Sequence, residues 1–122
     1  MIRSYEDLIV YQRSYQLALA MYEKSRKIPK DETYGIISQL KRASLSIPLN
    51  IAEGYGKRSS VNEFKRFLSM AIGSCDEMKV LIDFCKDLGF IEVSEHEHLK
   101  GAYNEVGRML NGLSKKWVKE EV

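Results

Sequence analysis

The chain has 122 residues, with 19 Lys and Arg against 17 Asp and Glu, a net charge of +2, two prolines and two cysteines. That length supports one continuous core and is too short for two, so a single domain over residues 1–122 is expected. Glycines are scattered and the prolines fall only at Pro29 and Pro48, which excludes a linker or low-complexity segment, while so small a net charge by itself decides nothing about nucleic acid.

The first predicted helix starts near Ser4, with Asp7 three residues later in a capping-box-like arrangement, and turns Leu8, Tyr11, Tyr15, Ala18, Leu19 and Tyr22 inward until Pro29 stops it. The opening MIRSYEDL has acidic residues in its first turn and no long apolar run, so neither a signal peptide nor a membrane span is expected.

Asp31 and Glu32 suit the first turn of a second helix through its dipole. Ile36, Leu40, Ala43, Ile47 and Ile51 form its apolar stripe, and Gly54 and Gly56 end it. Pro48 removes a backbone donor inside this helix and should kink it, although the stripe continues on either side. A second, polar stripe runs through Gln39, Arg42, Ser46, Asn50 and Glu53. A solvated face is one reading of it; a contact surface for a neighbouring helix, subunit or ligand is the other.

Ser60 and Glu63 form a capping box for the third helix, whose stripe is Phe64, Phe67, Leu68, Ala71, Cys75, Met78, Leu81, Ile82 and Cys85, closed by Gly89. Around its other side run Arg66, Met70, Gly73, Glu77, Val80 and Phe84 at bundle-seam spacing, suited either to self-association or to long side chains covering the flank. Ser94 and Glu97 repeat the capping signature and open a fourth helix with Leu99, Tyr103, Val106, Leu110, Leu113 and Trp117 on one face. Four helices of about 35 Å with short connections favour an all-α, antiparallel up-down-up-down bundle.

Cys75 and Cys85 lie about 15 Å apart along one helix and cannot bridge, so buried free thiols in a reducing, cytoplasmic setting are expected. GYGKRSS, Gly54 to Ser60, lacks the spacing of a nucleotide-triphosphate loop and follows a helix instead of a strand. It remains either a solvated turn or a weak anion site in which Lys57 and Arg58 join the N–H groups of the third helix. His96 and His98 point to different sides of their helix and lack further ligands, so no metal is expected; nor can a catalytic Ser-His-Asp, Cys-His or di-iron arrangement be assembled, which leaves no cofactor and no enzyme chemistry.

Charge is unevenly distributed. Lys41, Arg42, Lys57, Arg58, Lys65 and Arg66 dominate Gln39 to Arg66, whereas Asp and Glu dominate Ser74 to Leu99. In an antiparallel bundle, Arg3, Lys57, Arg58, Lys115, Lys116 and Lys119 gather at one end as a basic pole.

YEDLIVYQ, then IPKDETYGIISQLKRASLSIPLNIAEGYGKRS, then EFKRFLSMAIGSCDEMKVLIDFCKDLGFI resemble the four-helix-bundle family of proteins encoded within intervening sequences of bacterial large-subunit ribosomal RNA genes. The family resembles in turn the accessory variability protein of diversity-generating retroelements, a pentameric barrel that binds nucleic acid and a reverse transcriptase. The resemblance picks out Gln39, Arg42, Ser46, Asn50, Glu53, Gly54, Arg66, Gly73, Ser74 and Glu77. It implies a homo-oligomer, a pentamer by resemblance with an isologous dimer as the competitor; taken with the two extra stripes, it puts Gln39, Arg42, Ser46, Asn50, Glu53, Arg66, Met70, Gly73 and Glu77 at the expected interface. Lys57, Arg58, Lys65, Lys115, Lys116 and Lys119 are the candidate contacts to RNA or DNA. A protein scaffold without a nucleic-acid role, or one that binds a reverse transcriptase or another protein, is the alternative.

Overall fold

The computed structural model describes residues 1–117, which fold into four α-helices with, among the described residues, no strand. A 3₁₀ turn Tyr5–Asp7 precedes α1 (Ile9–Ser25), and a 3₁₀ turn Lys30–Glu32 and a π turn Thr33–Ile37 lead into α2 (Ser38–Gly56). After these come α3 (Val61–Asp87) and α4 (Val93–Lys116). Successive helices pack along their lengths and α1 meets α4 more sparsely, which closes the expected up-down-up-down bundle.

The core is continuous, with Leu40, Ile47, Ile51, Phe64, Leu68, Met78, Ile82, Tyr103 and Leu110 wholly buried. Each such aliphatic side chain contributes about 1.5–3 kcal/mol by leaving water. These residues come from the stripes read off the second, third and fourth helices. Ile36, Leu81, Leu113 and Trp117 sit at the margins, half-buried.

The inward face of α1 is a correction. Ser4 and Asp7 do make a capping box, but it closes only the three-residue turn; Leu8 is extended (φ −73°, ψ 122°), and α1 starts after it. Val10, Ser14, Ala18, Met21 and Ser25 face inward, whereas Tyr15 and Leu19 are exposed. Small Ser14, Ala18 and Ser25 let α1 lie close to its neighbours, and the two buried hydroxyls donate to the carbonyls of Tyr11 (3.0 Å) and Tyr22 (2.7 Å). Packing depth has overruled side-chain size.

Asp31 and Glu32 also fall outside α2, in the 3₁₀ turn that precedes it. The non-helical backbone of this region is at Gly35 (φ −106°, ψ −110°), while α2 runs without interruption through buried Pro48. Gly54 does not end α2 but lies inside it, where an added Cβ would be 2.7 Å from Phe67 Cβ and 3.0 Å from Phe64 Cδ1. The α2–α3 hairpin therefore closes over a glycine with no room for a methyl group.

Ser60 caps α3 by accepting from the Glu63 N–H (3.2 Å), while the Glu63 carboxylate turns to Arg66. At the far end Gly89 adopts φ 81°, the Gly89 N–H donates to Lys86 O and the Phe90 N–H to Cys85 O. That is a Schellman closure, and it needs the left-handed glycine. The cap of α4 is two residues earlier than Ser94: the Glu92 N–H meets Glu95 Oε1 (3.4 Å), and the Glu92 side chain returns the bond.

Candidate nucleic-acid interface

The end of the bundle that carries the α2–α3 turn is organised by aromatic packing. Trp117 stacks edge-on against Phe64 (4.6 Å between centroids) and Tyr55 (6.3 Å), tying the last turn of α4, with exposed Lys115 and Lys116, to the residue-57 turn. The 3₁₀ turn before α1 arrives at the same end, since Ile2, Leu8 and Ile9 border a shallow depression with Met109, Leu113 and Lys116. Arg3, Lys57, Arg58, Lys115 and Lys116 thus share one end. Lys119 lies outside the described residues.

These cations are not equivalent. Arg58 is half-buried, stacks 4.1 Å from the Tyr55 ring and donates to Tyr55 O at 3.0 Å, which commits its guanidinium to holding the turn. Lys57 is exposed, with its ammonium 5.3 Å from the Phe67 ring. Arg66 stacks over the same ring (4.6 Å) and pairs with Glu63, whose carboxyl it holds below the usual range by hydrogen bonding. Lys65, half-buried, is on the following turn of α3. Glu6, Asp7 and Glu53 lie toward the same end, so the pole is basic without being uniformly so.

The polar stripe of α2 finds partners inside the chain. Arg42 donates to Gln39 Oε1 (2.6 Å) and reaches Glu77 of α3 (3.5 Å); Ser46 Oγ donates to Ser74 Oγ (2.6 Å); Asn50 donates to Ser46 O (2.8 Å). Gln39, Arg42, Ser46, Asn50 and Glu77 are therefore brought together along the α2–α3 seam. Glu53, Arg66, Met70 and Gly73 are exposed beside it. Heptad-like spacing finds such a seam but does not distinguish one within a chain from one between chains.

His96 is only 13% exposed and its Nε2 lies 2.7 Å from Asp83, which also receives Lys100 (2.9 Å); the two contacts hold the Asp83 carboxyl below its usual range. This cluster clasps α3 to α4 and has no further ligand, and no metal-binding group of three is found among the described residues. Cys75 and Cys85 are free and buried, with thiols pushed up to about 12 and about 11 by burial, so neither is poised as a nucleophile. An apolar groove of about 390 Å³ between α1 and α4 is bridged by the Arg13–Glu105 ion pair and holds no reactive group. No helix among the described residues is long and apolar enough to cross a membrane.

The sequence reading missed exposed Leu45 and Leu49 on α2, which join Tyr15 and Leu19 of α1 on one surface. Their i, i+4 spacing outside both assigned stripes was the available signal.

An all-α, antiparallel four-helix bundle with a cationic end and no assembled catalytic centre among the described residues defines the class of protein. Within that class, the 23S rRNA-intervening sequence protein family matches residues 6–112, and the chain belongs to that family. Comparison with curated proteins finds no match.

Proposed function

We propose that this chain is a non-enzymatic, cytoplasmic homo-oligomer that binds structured RNA without base specificity through its basic pole. The observation that carries the reading is the convergence of exposed Lys57, Lys115 and Lys116 at one end, beside the start of α3. Lysines there attract phosphate as point charges, and repetition over several subunits multiplies a modest charge by avidity. The membership in a family named for 23S rRNA-intervening sequences supports an RNA partner over DNA. The resemblance to pentameric relatives supports five subunits.

Filter retention of a 23S rRNA fragment by the parent and by a K57E/K115E/K116E variant, across a salt series, tests it. Arg58 stays in place because it holds the turn. Retention by the variant should fall at least tenfold at low salt, and the slope of log affinity against log salt should shrink by about two to three, close to one per lost phosphate contact. A variant with the parent's affinity and slope overturns the reading. The exposed apolar surface on α1 and α2 favours a second one, a protein scaffold, in which RNA retention is absent from parent and variant alike.

A further inference from the structure

A second set of cations lies at the end of the bundle opposite the basic pole. Where α1 gives way to the turns before α2, Arg26, Lys30 and Lys41 border a recess of about 250 Å³ together with Ser25, Thr33 and buried Ile37. No carboxylate borders it. Of the acids nearby, Asp31 and Glu32 share the turn of Lys30 without reaching the recess, Glu95 is taken up by Lys24 at 2.7 Å, and Glu23 meets Arg26 at 2.9 Å in an exposed and therefore weak pair. Among the described residues Lys30 and Lys41 form no ion pair; the half-buried Lys41 has its ammonium 5.3 Å from the Tyr22 ring instead.

Cations that follow a helix commonly serve its last carbonyls. Here those carbonyls are already taken. Tyr22 O accepts from the Ser25 hydroxyl (2.7 Å), and the carbonyls of Glu23, Lys24 and Ser25 accept from the N–H groups of Arg26, Lys27 and Ile28 (3.3, 3.1 and 3.2 Å). The dipole of α1 offsets part of the repulsion among the three cations, but it makes no direct bond to them. Their donors remain available to an anion. The hydroxyls of Ser25 and Thr33 are committed to the Tyr22 and Lys30 carbonyls, so they fix the wall of the recess and leave the attraction to Arg26, Lys30 and Lys41.

Next to Thr33 in the chain, Tyr34 is 98% exposed. The non-helical backbone of Gly35 breaks the helical path immediately after it, and the ring is left with both faces in water. A flat aromatic face beside a cationic recess suits a base joined to a phosphate. We propose that this recess binds the terminal phosphate of a nucleotide, held by Arg26, Lys30 and Lys41, with the base stacked on Tyr34. A phosphomonoester carries about two negative charges near pH 7, against one for each phosphodiester of a nucleic-acid backbone, so three converging cations favour a chain end or a free nucleotide. The site goes beyond the proposed function: the basic pole attracts backbone phosphates at one end of the bundle, and this recess takes a single terminal phosphate at the other.

Calorimetry at low salt with AMP and adenosine, and with an RNA oligonucleotide carrying a 5′-phosphate or a 5′-hydroxyl, tests it. The parent should bind AMP at least tenfold more tightly than adenosine. K30Q/K41Q, and separately R26Q, should each lose most of that preference with the circular dichroism of the parent, and Y34A should weaken AMP about fivefold or more through the lost stacking. A 5′-phosphate that tightens the oligonucleotide beyond AMP assigns the recess to RNA ends, and AMP binding more tightly than that oligonucleotide assigns it to free nucleotides. A parent that binds AMP no better than adenosine and ignores the 5′-phosphate overturns the site, as does K30Q/K41Q keeping the parent's preference. Because the phosphorylated and hydroxyl oligonucleotides offer the basic pole the same backbone, their difference reports this recess whether or not the pole binds RNA.

Discussion

A methyl group at Gly54 has no place to go: 2.7 Å from Phe67 Cβ, 3.0 Å from Phe64 Cδ1 and 3.4 Å from the Phe64 carbonyl. Two of these neighbours are backbone-proximal and cannot rotate away. Gly54→Ala should therefore destabilise the protein by about 1–3 kcal/mol in urea titration, despite the better helix propensity of alanine. Phe67→Gly, which removes the Cβ that the methyl would meet, should absorb part of that penalty when the two are combined, whereas Phe67→Ala, which keeps it, should not. An unchanged midpoint in Gly54→Ala would mean that α2 and α3 are not held at this separation. The glycine was visible in the sequence, but its neighbours were not: read locally, two glycines before a turn are helix terminators. Arg58 teaches the same distinction. As a basic residue in a turn it reads as a ligand contact, and only its position over Tyr55 shows how much of its guanidinium is spent on structure.

Among the elements, the end of the bundle at the α3–α4 turn is fastened by carboxylates. Asp83 receives His96 and Lys100, and Glu95 receives Lys24 of α1 at 2.7 Å together with the Glu92 N–H. Both carboxyls are held below their usual range, chiefly by these hydrogen bonds. A carboxyl depressed in the folded state contributes stability that is complete above its unfolded pKa, about 4, and is lost as pH falls through the lower folded value. The urea midpoint of the parent should drop as pH is lowered from about 4 to 2, and that of D83N/E95Q should drop less steeply from a lower starting value at pH 7. Equal slopes would show that neither contact persists in solution. Partial exposure keeps the effect smaller than that of a buried pair. The sequence placed acidic residues in this region correctly, but left His96 without a partner, because one thirteen positions away on another helix leaves no local pattern.

For the whole molecule, the consequence of assembly is the sharing of charge. If the chain assembles, RNA affinity depends on subunit number although no cation is altered. The parent diluted until light scattering reads 14.1 kDa should then retain the RNA fragment at least tenfold more weakly per chain than the assembled protein, since a lone pole loses avidity. Equal retention per chain by monomer and assembly would separate binding from assembly.

Sequence by itself determined the helix count, the up-down-up-down order, three of the four core stripes, the buried free thiols and the end at which the basic residues meet. Each follows from a local period or a chain-order rule: apolar residues every three to four positions, short connections, and antiparallel neighbours. The family, too, was legible from contiguous motifs over most of the chain. Tertiary structure alone decided the inward face of α1, where Ser14 and Ser25 displace Tyr15 and Leu19, because depth of approach between helices selects small side chains that no hydrophobicity pattern favours. It also decided that the polar stripe of α2 pairs with Ser74 and Glu77 of its own chain, and that the surfaces left over are apolar. Periodicity names the residues that share a face; only the positions of the other helices say which faces are already covered.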